Sequence, residues 1–278
     1  MILFPNAKIN LGLNVVARRH DGYHDVETAM VAVDWTDILE IVPAKGHDTS
    51  LTIYGRAVDC PVEKNLVMKA YRAMEKAVGS LPPADIYLEK IIPDGAGLGG
   101  GSADAAFTLL GLNEVFGLGL EKRRLAEIAS EIGADCPFFI YDTPAYCTGT
   151  GTDISHEISV ELKPYTILIA KPRVAAVSTK EAYAGIVSHP SDHDIRHTLG
   201  LPIGRWQELL TNDFEASVFP RLPQVAALKE RMLAGGALYA AMSGSGASVF
   251  GIFENDILAQ SLADTLPDCD VHVGKSCQ

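Results

Sequence analysis

The chain has 278 residues, 47% of them hydrophobic and 21% charged, enough for one large domain or two medium ones with real cores. Its 23 Lys and Arg against 35 Asp and Glu leave a net charge of −12. Such a surface repels nucleic-acid phosphates and anionic lipid, although a local basic pocket for one small anion stays open, and the composition of a disordered chain is missing.

Five cysteines, at 60, 136, 147, 269 and 277, include no Cys-x-x-Cys pair and suit a reducing compartment. No apolar run approaches the ~18 residues of a membrane span. The opening Met1-Ile-Leu-Phe-Pro-Asn-Ala-Lys lacks the basic leader and long apolar core of a signal peptide. A soluble, cytoplasmic protein is expected.

The first ninety residues read as strand-rich. Ile9, Leu11, Leu13 and Val15 alternate along Lys8 to Ala17, Thr28 to Val42 holds two β-branched runs, and Thr49 to Tyr54 is a short strand. Asn65 opens a helix that Gly79 ends, and Ala84 to Ile92 is a strand running into Pro93. Ala105, Leu109, Leu112 and Phe116 form one helical stripe, placing a helix start near Ser102. Leu125, Ile128, Ala129 and Ile132 mark a second helix, stopped by Gly133. Extended stretches are expected over Ile158 to Leu162 and Tyr165 to Ala170, then a polar loop over Ser188 to Gly204. Helices over Arg205 to Thr211 and Val225 to Leu233 precede a strand–glycine loop–strand unit over Leu238 to Phe253. A helix near Ile257 to Leu266 and a strand at Val271 close the chain, and a domain boundary is drawn near residue 160.

Between a strand and a helix lie Gly95, Gly97, Gly99, Gly100 and Gly101. Glycine lets backbone N–H groups approach a ligand, and a helix start adds orphan donors, so the segment reads as a cradle for a nucleotide phosphate rather than a linker. Gly95-Ala-Gly-Leu-Gly-Gly satisfies the dinucleotide fingerprint, but the next segment is a helix where that fold needs a strand. Gly274-Lys-Ser imitates the end of a Walker loop without its first glycine or its helix. A second glycine loop, Met242-Ser-Gly-Ser-Gly-Ala-Ser, is either another phosphate site or a hairpin turn. His189, His193 and His197 are spaced by four, yet Pro190 and Gly200 argue for a solvated loop over a metal site. Asp135, two residues before Pro137, is either a helix cap or a catalytic carboxylate. Lys8, Asn10 and Gly12 share one side of their strand, facing either solvent or a site.

Three segments together resemble the GHMP kinase superfamily of small-molecule kinases. The glycine loop Pro93-Asp-Gly-Ala-Gly-Leu-Gly-Gly-Gly-Ser-Ala, the amino-terminal Pro5-Asn-Ala-Lys-Ile-Asn-Leu and the carboxy-terminal Ser243-Gly-Ser-Gly-Ala match its three motifs. Arg19-His-Asp-Gly-Tyr-His-Asp-Val-Glu-Thr, Gly133-Ala-Asp-Cys-Pro-Phe-Phe and Val177-Ser-Thr-Lys-Glu-Ala-Tyr are similar to one branch of it. That branch acts on a cytidine-diphosphate-linked methylerythritol in the non-mevalonate isoprenoid pathway. The resemblance implies an α+β fold of two domains: a ribosomal-S5-like, ATP-binding and catalytic domain over 1–160, and a ferredoxin-like, substrate-binding domain over 161–278. It implies transfer of the ATP γ-phosphoryl group to the tertiary 2-hydroxyl, with Asp135 as general base and Lys8 as its partner. Asn65, Lys90 and the loop Pro93, Asp94, Gly95, Ala96, Gly97, Leu98, Gly99, Gly100, Gly101, Ser102 and Ala103 would hold ATP, with Ser102 touching Mg²⁺. Ala103 stands where the motif has a second Ser, and Asp94 has to point away from phosphate. Asn10, Thr179 and Gly244 would touch the substrate, while Tyr23, His24 and Tyr183 would bind the cytosine, the two tyrosines on opposite faces. The partner implied is a small molecule bearing cytidine diphosphate, with no nucleic acid, membrane or obligate protein partner.

Overall fold

The structure, a computed structural model, describes residues 1–46 and 48–277. A short strand β1 (Ile2–Leu3) precedes β2 (Asn6–Arg18), β3 (His24–Thr36), β4 (Ile38–Pro43) and β5 (Ser50–Gly55). Helix α1 (Leu66–Val78) leads to β6 (Ala84–Lys90), then α2 (Gly100–Val115), α3 (Lys122–Ser130) and α4 (Cys136–Tyr141). Strands β7 (Ala145–Thr148), β8 (Asp153–Ser155) and β9 (Thr166–Pro172) come next. They are followed by helices α5 (Thr179–Tyr183), α6 (Ile195–Leu199), α7 (Trp206–Leu209), α8 (Phe214–Val218) and α9 (Pro223–Ala234). Strands β10 (Tyr239–Met242) and β11 (Val249–Phe253), helix α10 (Asp256–Ala263) and strand β12 (Cys269–Gly274) complete the order.

Packing groups Met1–Ala7, Trp35–Asp94 and Gly99–Asp142 in one compact unit, and Lys8–Asp34, Gly95–Leu98 and the chain from Thr143 on in a second. The first holds a sheet of order β1-β4-β6-β5, in which β5 and β6 run parallel and are joined through α1. Helix α1 starts where the Asn65 side chain accepts the Val67 N–H, and it ends at Gly79, whose φ of 82° suits a residue without a Cβ. Strand β6 alternates, with Ala84, Ile86, Leu88 and Lys90 buried, so a lysine occupies an inward position of the sheet. Helix α2 follows Gly99, which has φ 71°. Its small residues Ala103, Ala105 and Ala106 are fully buried, as in a helix packed on several sides.

The second unit holds two sheets, of order β2-β3-β7-β8 and β10-β11-β9-β12. In the latter the chain runs β9, helices, β10, β11, α10, β12, and each neighbouring pair is antiparallel. This is the ferredoxin-like arrangement expected from the family resemblance. Leu168, Ala170, Val249 and Phe253 of the sheet pack with Val225, Leu228 and Met232 of α9 and Ala259 and Ala263 of α10 in one core.

Most expected elements form close to their predicted bounds, with exceptions that have physical causes. Ile158 to Leu162 stays irregular, whereas β7 and β8 pair through Tyr146↔Ser155 just before it. The expected loop over Ser188 to Gly204 contains α6, started by Asp194, whose side chain accepts the Arg196 and His197 N–H groups. Of the three spaced histidines only His197 is helical. His189 instead has its Nδ1 2.9 Å from the Pro190 carbonyl.

Candidate active site

Both faces of the first ten residues of β2 are buried, so the polar side of that strand is not a solvated one. Lys8 is 3% exposed, and its ammonium donates to Asn10 Oδ1 at 2.5 Å. Asn10 passes the chain on: its Nδ2 donates to Thr28 Oγ1 at 2.9 Å, and Thr28 donates to the Gly12 carbonyl at 2.6 Å. A buried ammonium needs such partners, because desolvation without them would cost several kcal/mol, on the order of an unpaired buried charge. The Lys8 backbone N–H donates to the Leu98 carbonyl at 2.9 Å, which ties this strand to the first glycine loop.

The two glycine loops of the second unit meet through their backbones. Ser243 Oγ donates to the Gly97 carbonyl at 2.9 Å, and the Ser248 N–H donates to the Ala96 carbonyl at 3.1 Å. A Cβ on Gly97 would stand 2.0 Å from the Ser243 carbonyl oxygen, so the approach admits glycine alone. A Cβ on Gly244 would lie 3.4 Å from Lys8 Nζ, placing the second loop beside that ammonium. The turn over Ser243–Ser248 is thus both the hairpin connection between β10 and β11 and a wall of the first loop. Thr179 Oγ1 lies 3.2 Å from Ser245 Oγ at its tip.

Within the first unit, Asp135 sits at the cap position of α4 but makes no capping bond with its side chain. The helix is held by the fully buried Phe138 and Phe139, and Pro137 occupies its first turn. The neighbouring Cys136 thiol is pushed up to about 12 by burial and by the Asp135 charge, with a hydrogen bond to Ser102 opposing them. It is therefore a neutral thiol beside the carboxylate. Ser102 faces this group, Ala103 is fully buried, and Asp94 is exposed to solvent.

Lys90 is 4% exposed and bound by two carboxylates, with Nζ 2.5 Å from Asp37 Oδ2 and 2.8 Å from Asp104 Oδ2. Asp37 Oδ1 also accepts the N–H groups of Ile91 and Ile92, at 2.6 and 2.8 Å. The cluster therefore fastens both ends of the first glycine loop, the exit of β6 and the first turns of α2. Local spacing gave no sign of Asp37 or Asp104; the usable signal was a lysine in register with Ile86 and Leu88. Burial alone would lower the Lys90 ammonium, but the Asp104 and Asp37 carboxylates raise it overall. Burial also pushes Asp104 up to about 8; Lys90 opposes that shift and Asp37 adds to it. Between about pH 4 and 8 the folded chain then holds a proton that an unfolded chain has released, so stability falls as pH rises across that window. Asp104→Asn is expected to flatten this fall in urea melts taken across the same range. Equal slopes for both proteins would place the proton elsewhere.

The aromatic residues expected to meet a cytosine differ in setting. Tyr23 is 68% exposed. His24 stacks directly on Tyr183, centroids 4.7 Å apart and planes at 19°, and Tyr183 meets Phe214 edge to face at 4.7 Å. Stacked rings in contact leave no slot between them, so a base would have to use an outer face of the pair. Asn65 is buried, and its Oδ1 is committed to capping α1.

A strand of buried polar groups thus runs beside two interlocked glycine loops, whose backbone could receive an anionic ligand. Residues 65–143 match the GHMP kinases N terminal domain, and residues 201–270 the GHMP kinases C terminal domain. A 4-diphosphocytidyl-2-C-methyl-D-erythritol kinase from Parabacteroides distasonis is 52% identical over 91% of this chain and 92% of its own length. The kinase of that name from Bacteroides thetaiotaomicron is 47% identical over 97% and 96%. A crystal structure of a 4-(cytidine 5'-diphospho)-2C-methyl-D-erythritol kinase superposes with a TM-score of 0.83 at 30% identity, covering 99% of each chain. A mevalonate kinase structure, at 14% identity and a TM-score of 0.74, shares the fold. The chain belongs to the GHMP kinase family, and within it to the group of 4-diphosphocytidyl-2-C-methyl-D-erythritol kinases.

Proposed function

We propose that this chain transfers the γ-phosphoryl group of ATP to the 2-hydroxyl of 4-diphosphocytidyl-2-C-methyl-D-erythritol, a step of the non-mevalonate route to isoprenoid precursors. The observation that carries the reading is 52% identity, across nine-tenths of both chains, to a kinase of that name. In this reading ATP binding and catalysis belong to 1–160 and substrate recognition mainly to 161–278, with Asn10, Tyr23 and His24 contributing from the first segment. Asp135 takes the proton of a tertiary alcohol, a poor nucleophile, and Lys8 stabilises the oxygen as negative charge grows there. The glycine loop Pro93 to Ala103 positions the phosphates, since phosphoryl transfer through a loose transition state gains mostly from alignment and charge stabilisation. Asn65 and Lys90 serve the nucleotide side, Lys90 by holding the loop ends through Asp37 and Asp104.

Mg²⁺ enters this proposal with ATP, where it would neutralise phosphate charge. Among the described residues no group of three or more His, Cys, Asp or Glu side chains could hold a metal. In this proposal the ion would come with the ATP phosphates, and the Ser102 hydroxyl would be its contact from this chain. Among those residues, too, no helix is long and apolar enough to cross a membrane.

A coupled ADP-release assay tests the reading, run with the cytidine substrate beside homoserine and mevalonate. Turnover of the first alone is expected, and turnover of either other alcohol in its place would overturn it. In the same assay Tyr23→Ala should raise KM for the cytidine substrate about tenfold or more, since stacking a base on an aromatic ring is worth roughly 1–3 kcal/mol. Its melting midpoint should not move, because the ring is exposed. An unchanged KM would remove Tyr23 from the cytosine site. Tyr183, packed on His24 and Phe214, should lose stability as well when truncated.

A further inference from the structure

A densely hydrogen-bonded polar segment, Asn212-Asp-Phe-Glu, lies between the helices expected over Arg205 to Thr211 and Val225 to Leu233. It is sewn to β2, the strand that carries Lys8 and Asn10. The Leu13 N–H donates to the Thr211 carbonyl at 2.8 Å, the Asp213 N–H donates to the Leu13 carbonyl at 2.9 Å, and the Val15 N–H donates to Asp213 Oδ2 at 2.7 Å. From there the segment reaches the second glycine loop. Asn212, 4% exposed, donates through Nδ2 to the Met242 carbonyl at 2.7 Å and the Gly244 carbonyl at 2.9 Å, while its Oδ1 accepts the Phe214 N–H at 3.0 Å. Every polar atom of a buried amide is matched, which fixes the side chain in one orientation. Glu215 Oε1 accepts the Met242 N–H at 2.9 Å, and its Oε2 takes Lys229 Nζ at 2.6 Å. Met242 is therefore gripped by both its N–H and its carbonyl, and Gly244 by its carbonyl.

We propose that Asn212 and Glu215 are positioning residues that hold the loop Ser243–Gly246 in the orientation phosphoryl transfer requires, an inference that rests on the kinase reading above. The peptide plane supplies the reason. In a trans peptide the N–H points opposite to the carbonyl, so turning the Gly244 carbonyl toward Asn212 turns the Ser245 N–H away from it. Among the described residues neither the Gly244 nor the Ser245 N–H donates to a protein acceptor, so both remain for a ligand. Gly244 is also the residue beside the Lys8 ammonium. Asn212 thus decides which way the loop's donors face, and its attachment to β2 keeps that loop in register with Lys8.

Asn212→Asp tests this with almost no change in volume: an oxygen would face two carbonyl oxygens, and the loop peptides would have to rotate. Two measurements are expected to move together. Hydrogen exchange of the peptide covering 242–248 should quicken while exchange in α9 and α10 stays as in wild type. The kcat should fall roughly 10- to 100-fold, with KM for ATP little changed, as for small misplacements of reacting groups. Asn255→Asp, at the cap of α10 in the same unit, should leave both unchanged. Exchange that does not change overturns the clamp whether or not the cytidine compound proves to be the substrate, because that readout needs none. Faster exchange with wild-type kcat, in an enzyme that does phosphorylate the cytidine substrate, overturns the link to transfer. A wild-type protein inactive on that substrate counts against the kinase reading instead. If Asn212→Asp does not fold, Glu215→Ala, which frees the Met242 N–H, is judged by the same two readouts.

Discussion

Asp135→Asn is expected to lower turnover roughly 10²- to 10⁴-fold, the usual worth of general-base assistance, while the melting midpoint stays near that of the wild type. The second half of that expectation comes from the structure. The sequence left two readings of this residue, a helix cap and a catalytic carboxylate; Asn caps a helix about as well as Asp, so turnover is what separates them. Asp135 does stand at the start of α4, yet its side chain makes no capping bond there. The helix is anchored by Phe138, Phe139 and Ile140, all essentially inaccessible to solvent. Asn keeps the size and shape of the side chain while removing its charge and its ability to accept a proton. Steady-state assay and thermal melting of the same preparation decide the matter. A folded variant that turns over at nearly the wild-type rate would leave Asp135 as the first residue of a helix and nothing more.

What could be read before the structure was what neighbouring residues dictate to one another. Asn65 and Gly79 bound α1 as their capping chemistry requires. The glycines before α2 adopt the positive φ values that mark a loop other residues would strain, with Gly95 at 58°, Gly97 at 76° and Gly99 at 71°. The alternating apolar residues of β2 fixed its inner face, but periodicity could not say whether Lys8 and Asn10 faced water or protein. That answer depends on a second surface from distant chain, and the structure buries them.

The same limit explains the larger omissions. Asp37 meets Lys90 across 53 residues and Asn212 meets Gly244 across 32, and nothing in the local spacing of either pair announces the contact. Conversely, Ile158 to Leu162 has a strand's composition yet forms no regular strand, because composition alone does not fix backbone pairing. The expected cytosine sandwich shows a third kind of gap. Aromatic residues of suitable type were legible at 23, 24 and 183, but not that His24 would close directly on Tyr183.

Gly97→Ala is expected to damage catalysis about as much as Asp135→Asn, for a reason that is entirely steric. The residue has φ 76°, a conformation that costs an L side chain about 1–2 kcal/mol. Gly95 carries that cost too, with φ 58°, but a Cβ there would meet nothing within 4 Å. At Gly97 the added carbon would fall 2.0 Å from the Ser243 carbonyl oxygen and 3.0 Å from the Gly246 nitrogen, both backbone atoms that no rotamer change can move aside. The loops must separate, and the bond from Ser243 Oγ to the Gly97 carbonyl goes with them. The donors that each loop presents then shift by an ångström or more, enough to cost on the order of 100-fold in transfer. Denaturation of the two variants side by side isolates the clash from the dihedral strain they share: Gly95→Ala should lose about 1–2 kcal/mol, and Gly97→Ala distinctly more. Turnover and ATP-analogue titration of Gly97→Ala then report the separation of the loops. If Gly97→Ala were no less stable than Gly95→Ala and still bound the analogue and turned over normally, the contact between the two glycine loops would have no part in the reaction.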